Sequence, residues 1–98
     1  DNADEDSESI PEIFSINSIY PNPFNSSTNV SFNQPNVGEV RIVVFDLRGR
    51  ICENRSYGIY PVGKSTITWN GDHYTSGMYF LQIYLGEQCF NRNILISK

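Results

Sequence analysis

The chain is short of the residue types on which most enzyme and metal chemistry depends. Its 98 residues include one histidine, two cysteines, one methionine and one tryptophan. A lone histidine, His73, is the one side chain whose ordinary titration range lies near neutral pH, and it cannot by itself make a multi-histidine metal set. Neither Cys52 nor Cys89 has a second Cys or a His at ligand spacing, so no metal site and no cofactor are expected. Positive charge is also sparse: seven Lys and Arg are scattered along the chain without a basic stripe, so a nucleic-acid partner is not expected. No apolar run reaches the roughly 18–20 residues of a membrane-spanning helix. No secretory leader pattern opens the chain, and position 1 is Asp rather than Met, which reads as a mature product or a fragment. Sustained 3.6-residue periodicity is missing throughout, so no helix is predicted.

What is abundant is aromatic. Six Phe, six Tyr and one Trp give a short chain a large area to bury per residue, and Val, Ile, Thr, Tyr and Phe all suit pleated strands. The length allows one domain. The formal net charge of −4 is unevenly spread. Asp1, Asp4, Glu5, Asp6, Glu8 and Glu12 hold six of the eleven acids, leaving five acids against seven bases from Ile13 onward. Residues 1–12 therefore read as an acidic, flexible linker or tail, without the spaced glycine of a calcium loop. Residues 13–98 read as the folded domain.

Within that domain short apolar bursts alternate with turn residues every 8–12 positions, as in a sandwich or barrel. Residues 13–20 suggest a first strand, stopped by Pro21-Asn22-Pro23. Residues 28–33 alternate, with Val30 and Phe32 on one face. Residues 39–46 place Val40, Ile42 and Val44 on one face and Arg41, Val43 and Phe45 on the other, which predicts a central strand covered on both sides. Leu47-Arg48-Gly49-Arg50 is a hairpin turn leading into a strand over 51–57, and 58–63 is a loop. Residues 65–69 turn Ile67 and Trp69 inward, and Asn70-Gly71-Asp72 carries the signal of a tight turn at positive φ. Residues 77–85 are a second central strand, with Tyr79, Leu81, Ile83 and Leu85 on one face and Met78, Phe80 and Tyr84 on the other. After Gly86-Glu87 a last strand runs to Lys98, with Phe90, Ile94 and Ile96 inward. About seven antiparallel strands of this kind predict an immunoglobulin-like β-sandwich with Trp69 between its sheets. The two cysteines leave open a disulfide or two buried thiols, with the balance slightly toward thiols.

No catalytic constellation emerges. His73 lies in one polar turn beside Asp72 and Ser76, and adjacency within a single turn is poor geometry for a triad. The remaining acids fall at strand ends and turns, and Gly58, Gly63, Gly71 and Gly77 each punctuate a separate turn instead of forming a phosphate loop. The Asn-x-Ser pattern at Asn25, Asn29 and Asn54 is cheap in so Asn/Ser-rich a chain. A non-enzymatic module is expected.

Several ordered motifs resemble a known family. Tyr20-Pro21-Asn22-Pro23-Phe24-Asn25, then Val43-Val44-Phe45-Asp46-Leu47-Arg48-Gly49-Arg50, then Trp69-Asn70-Gly71, then Ser76-Gly77-Met78-Tyr79-Phe80-Leu81 are similar, in order and spacing, to the C-terminal sorting domain of type IX secretion cargo. The similarity spans residues 20–98. The motif residues also have physical readings: Tyr20 and Phe24 are expected to anchor the ends of the proline segment in the core, and Gly49 and Gly71 to allow turns that a Cβ would strain.

The resemblance implies a domain that follows an upstream cargo, is recognised when folded by an outer-membrane translocon of Bacteroidota-like bacteria, and is commonly removed by a surface sortase. It places the product at the outer-membrane surface or in the medium, anchored or released. It places cleavage within residues 1–19 and the signal in residues 77–98, chiefly the final strand with Arg92, Ile94, Leu95, Ile96 and Lys98. The family usually carries Lys-Met or Lys-Phe before its terminal apolar run; here Arg92 supplies the positive charge one place early. Two other readings arise from the residues alone. One is a structural subunit forming homo-oligomers by strand addition through Ile10, Ile13, Phe14 and Ile16. The other is a carbohydrate- or protein-binding sandwich using Tyr57, Tyr60 and Tyr74.

Overall fold

The protein is described here by a computed structural model, which covers residues 13–98; the acidic tail and Ile10 lie outside the described residues. Among the described residues seven strands follow one another without a helix: β1 (Ser15–Tyr20), β2 (Ser27–Gln34), β3 (Gly38–Phe45), β4 (Ile51–Tyr60), β5 (Gly63–Asn70), β6 (Gly77–Leu85) and β7 (Gln88–Ile96). They form a three-stranded sheet in the order β1-β2-β5 and a four-stranded sheet in the order β4-β3-β6-β7, every neighbouring pair antiparallel. The orders β1-β2-β5 and β3-β6-β7 are those of an immunoglobulin-type sandwich. The tight β3–β4 turn keeps β4 on the edge of β3.

Strand alternation builds the core as expected. Val30 and Phe32 of β2, Val40, Ile42 and Val44 of β3, Ile67 and Trp69 of β5, and Leu81, Ile83 and Leu85 of β6 are almost wholly buried in one cluster. Ile94 and Ile96 of β7 join it, and Trp69 sits between the sheets, 1% exposed. Two polar side chains unmarked by any hydrophobic pattern share the inner face of β2. Thr28 donates its hydroxyl to Pro21 O, and Gln34 Nε2 donates to Tyr60 O at 3.3 Å.

Several expectations are corrected. β4 does not end at Tyr57 but runs to Tyr60, because a bulge opposite Val40 and Arg41 absorbs one residue and Gly58 takes φ 90°. Gly71 has no positive φ, although the tight turn is there, with Tyr74 N donating to Gly71 O at 3.0 Å; it links β5 to β6 across the two sheets. Tyr20 anchors nothing; it is 74% exposed, whereas Phe24 is 3% exposed. Cys52 and Cys89 are free and exposed, neither bonded nor buried. Tyr57, Tyr60 and Tyr74 are not exposed platforms: all three are half-buried and pack against the core. Phe14 and Ile16 are likewise committed to the core rather than free to donate a strand, and Ile13 alone of that segment's described apolar residues is exposed.

The largest correction concerns β3 and β6, which are central in their sheet but covered on one face only. Among the described residues no third layer lies over Val43, Phe45, Met78 and Phe80, and the main core cluster and its packed flank contain none of them. Val43 is nonetheless 5% exposed, shielded by its cross-strand neighbours Asn54 and Gln82.

Candidate docking strand

The prolines of residues 20–25 end β1, and the segment then crosses to the other sheet. Both X-Pro bonds in it, Tyr20-Pro21 and Asn22-Pro23, are cis. Phe24 enters the core edge-on to Trp69, with ring centroids 5.9 Å apart. That anchor lays the segment against the open edge of β7 as a short parallel bridge, Phe24 beside Ile96. Phe24 N donates to Leu95 O at 3.0 Å, and Ser97 N donates to Phe24 O at 2.8 Å. Asn22 adds a second, side-chain clasp: its Nδ2 donates to Asn93 O at 3.1 Å and its Oδ1 accepts from Leu95 N at 3.0 Å. The amide of Asn22 thus imitates one residue of a neighbouring strand.

This clasp divides the β7 edge in two. Because N–H and C=O groups alternate sides along a strand, the edge groups belong to Cys89, Asn91, Asn93 and Leu95. The Leu95 end is covered. Toward the Gly86-Glu87 turn, Asn91 O accepts from Arg92 Nη1 at 2.7 Å. The amides of Cys89, Asn91 and Asn93 have no acceptor among the described residues. Arg92 lies in register with the inward residues Phe90 and Ile94 yet is exposed, its guanidinium 5.9 Å from the Phe90 ring. An inward-registered charge on an edge strand discourages indiscriminate pairing with other sheets. Opposite, on the edge strand β4, Glu53 and Arg55 do the same beside Val44 and Ile42.

The far end of β7 is tied down as well. Lys98 N donates to Ser76 Oγ at 3.0 Å and Lys98 Nζ to Asp72 O at 2.7 Å. The loop that receives Lys98 is itself fixed from three sides. Asn70 Oδ1 accepts from Asp72 N at 2.7 Å, Gly71 N donates to Ser26 O at 2.8 Å, and Tyr79 Oη donates to Thr75 O at 3.0 Å. Tyr74 wedges between Trp69 and Tyr79 at 4.9 and 5.2 Å and donates its hydroxyl to Glu53 at 2.8 Å. Burial first, then the bond to the Glu53 carboxylate, holds the Tyr74 phenol protonated well above its usual range. Gly77 then opens β6 at φ 146°.

At the same end, Asp46 organises the β3–β4 turn. Its carboxylate accepts from Arg48 N at 2.8 Å, Arg50 N at 3.0 Å and Arg50 Nε at 3.0 Å, while Gly49 takes φ 84°. The Arg50 backbone N–H is the main reason its carboxyl titrates below the usual aspartate range. Glu53, Asp72 and His73 also border an open groove at this end. Among the described residues no three His, Cys, Asp or Glu side chains are grouped to hold a metal ion, and no helix is long and apolar enough to cross a membrane.

The motif residues thus fall into three tied places: Pro21, Asn22, Pro23, Phe24 and Asn25 in the clasp, Asp46, Gly49 and Arg50 in the turn, and Trp69, Asn70, Gly71, Ser76, Gly77 and Tyr79 around the loop behind Lys98. Tyr20 and Phe80 belong to none of them. Of the final-strand residues, Ile94 and Ile96 are buried, while Arg92, Leu95 and Lys98 are exposed. Composition alone does not reveal Asn22 as the clasp or Asn93 as its partner; only the motif around Asn22 marks the place.

The described residues thus form an immunoglobulin-type sandwich of two sheets whose last strand is clasped by a proline segment. The sequence matches the family described as secretion system C-terminal sorting domain over residues 18–97. The chain belongs to that family, the sorting domain of type IX secretion. No curated protein matches it significantly.

Proposed function

We propose that this domain carries an upstream cargo across the outer membrane by type IX secretion, presenting its folded final strand to the translocon. The family membership over residues 18–97 carries the reading, and the clasped β7 supports it. In this reading Arg92, Leu95 and Lys98 contact the translocon, and Ile94 and Ile96 hold the strand in the sandwich that displays them. A surface sortase then separates the cargo, which is anchored at the outer-membrane surface or released. In this reading the sortase cuts at or before Phe14, within the span of residues 1–19 that the family implies, since β1 is paired with β2 from Ser15 onward and a cut there leaves every described strand whole. No catalytic role is assigned to the domain.

Fusing the whole chain behind a reporter carrying a periplasmic leader, in a type IX-competent host, tests this. The reporter is expected at the cell surface or in the medium, and deletion of the last ten residues is expected to leave it in the periplasm. Periplasmic retention with the chain intact would overturn the proposal.

A further inference from the structure

The two outer faces of the sandwich are built differently. On the three-stranded sheet the outward side chains of β2 and β5 include Asn29, Ser31, Thr66 and Thr68, bonded across the strands as Ser31 Oγ to Thr66 Oγ1 at 3.1 Å and Thr68 Oγ1 to Asn29 Oδ1 at 2.8 Å. This is the usual solvated face of an antiparallel sheet. The same solution was open to the four-stranded sheet, which instead carries a continuous apolar band. Ile51 lies opposite Phe45, Phe45 opposite Phe80, and Met78 opposite Leu95. Ile51, Met78 and Leu95 are 61%, 40% and 37% exposed. The band therefore crosses all four strands beside the clasp and beside the end of β7, and the fold does not need it, since the core is complete on the other side. Contiguous exposed apolar side chains with a polar rim mark a contact surface.

The charge around the band selects what covers it. Asp46 is the nearest acid in the β3–β4 turn, and its carboxylate is spent on that turn and on Arg50. Arg48 is exposed and its side chain has no bond among the described residues. It borders an open groove of about 210 Å³ with Leu47, Ser76, Gly77 and Met78. For scale, a void of about 150 Å³ accepts benzene, so the groove can seat one large apolar side chain next to a cation. Lys98 adds a second positive charge at this end. A second copy would bring another cationic rim against the first, whereas a surface that offers carboxylates beside apolar side chains matches it.

We propose that the outer face of the four-stranded sheet, through Phe45, Ile51, Met78, Phe80 and Leu95 with Arg48 at its rim, docks onto a protein of the export machinery that presents an apolar side chain flanked by a carboxylate. This rests on the sorting reading and extends it from one strand edge to a sheet face. The test uses the reporter fusion with the whole chain, the double variant M78T/L95T, which keeps strand-forming residues, and Arg48→Glu with Arg48→Lys beside it. The expected result is about a tenfold or greater fall in surface reporter for M78T/L95T and for Arg48→Glu, recovery with Arg48→Lys, and unchanged thermal unfolding of the purified chains. Should M78T/L95T fold poorly, Arg48→Glu in its exposed turn carries the test. Export of all variants at the level of the unmodified chain would overturn the docking face and the contact assigned to Leu95, and leave export through the rest of the final strand standing. Failure of the unmodified chain to be exported would overturn the docking face and the sorting reading together. Sedimentation showing a dimer that M78T/L95T abolishes would identify a second copy as the occupant and overturn the proposal. So would flotation with phosphatidylethanolamine–phosphatidylglycerol vesicles that M78T/L95T abolishes, because the occupant would then be lipid.

Discussion

Replacing Asn22 with Ala removes the side-chain clasp on β7 while leaving the Phe24 bridge in place. Two hydrogen bonds are lost, to Asn93 O and from Leu95 N, both at an exposed edge. Water can replace either partner, so each bond is taken at the low end of the usual range, about 0.5 kcal/mol. The pair together is then worth about 1 kcal/mol. For a domain of this size that corresponds to a fall in Tm of roughly 4–8 °C. Amide hydrogen exchange locates the effect: the Leu95 amide should exchange faster, while Ser97 N, which bonds to the Phe24 backbone, should change little. Asn22→Asp is the control, because it keeps an acceptor for Leu95 N and loses only the donor to Asn93 O; the Leu95 amide should stay protected. An Asn22→Ala variant with unaltered Tm and unaltered Leu95 exchange would refute the clasp.

Gly71→Ala should destabilise by about 1–2 kcal/mol through contact alone, since a Cβ there would lie 3.1 Å from Trp69, 3.2 Å from Ile96 and 3.3 Å from Phe24; denaturant unfolding measures it. Tyr74→Phe should cost about 0.5–1.5 kcal/mol for the lost bond to Glu53 and Tyr74→Ala clearly more, as the contacts with Trp69 and Tyr79 go too; thermal melts of the two variants separate bond from packing. Asp46 titrates below the usual aspartate range when folded, so its contribution is present above the unfolded value and is lost as pH falls through the depressed folded one. Tm measured down an acid series should therefore fall less steeply in Asp46→Asn than in the unmodified chain. Cys52 and Cys89 are exposed and unbonded, so both should react with a thiol reagent in the native state without loss of secondary structure by circular dichroism.

Strand positions were readable because alternation is a local property. β6 spans the residues expected of it, and Val30, Phe32, Ile67 and Trp69 point where the period of two places them. What escaped was set by partners distant in sequence. Tyr20 and Phe24 look equivalent as aromatic ends of one motif, but the chain turns out of β1 between them and only Phe24 reaches Trp69. Gly71 reads as a turn glycine, yet its constraint is the room left by three core side chains, one of them 25 residues away. The apolar outward residues of β3 and β6 read as a second buried face, because sequence alone does not distinguish an apolar face covered by the same chain from one left uncovered. The candidate strand was legible through family resemblance, and its clasp was not, since a side-chain amide standing in for a strand leaves no periodic trace.

In the proposed role, export depends on the folded sandwich that displays β7. The direct measurement is the surface fraction of a reporter fused ahead of the unmodified chain, compared with one ahead of Trp69→Ala, which should lose about 3–5 kcal/mol of core packing. Efficient export of the first and periplasmic retention of the second are predicted at a temperature where circular dichroism shows only the first folded. Equal export of an unfolded Trp69→Ala chain would contradict the account.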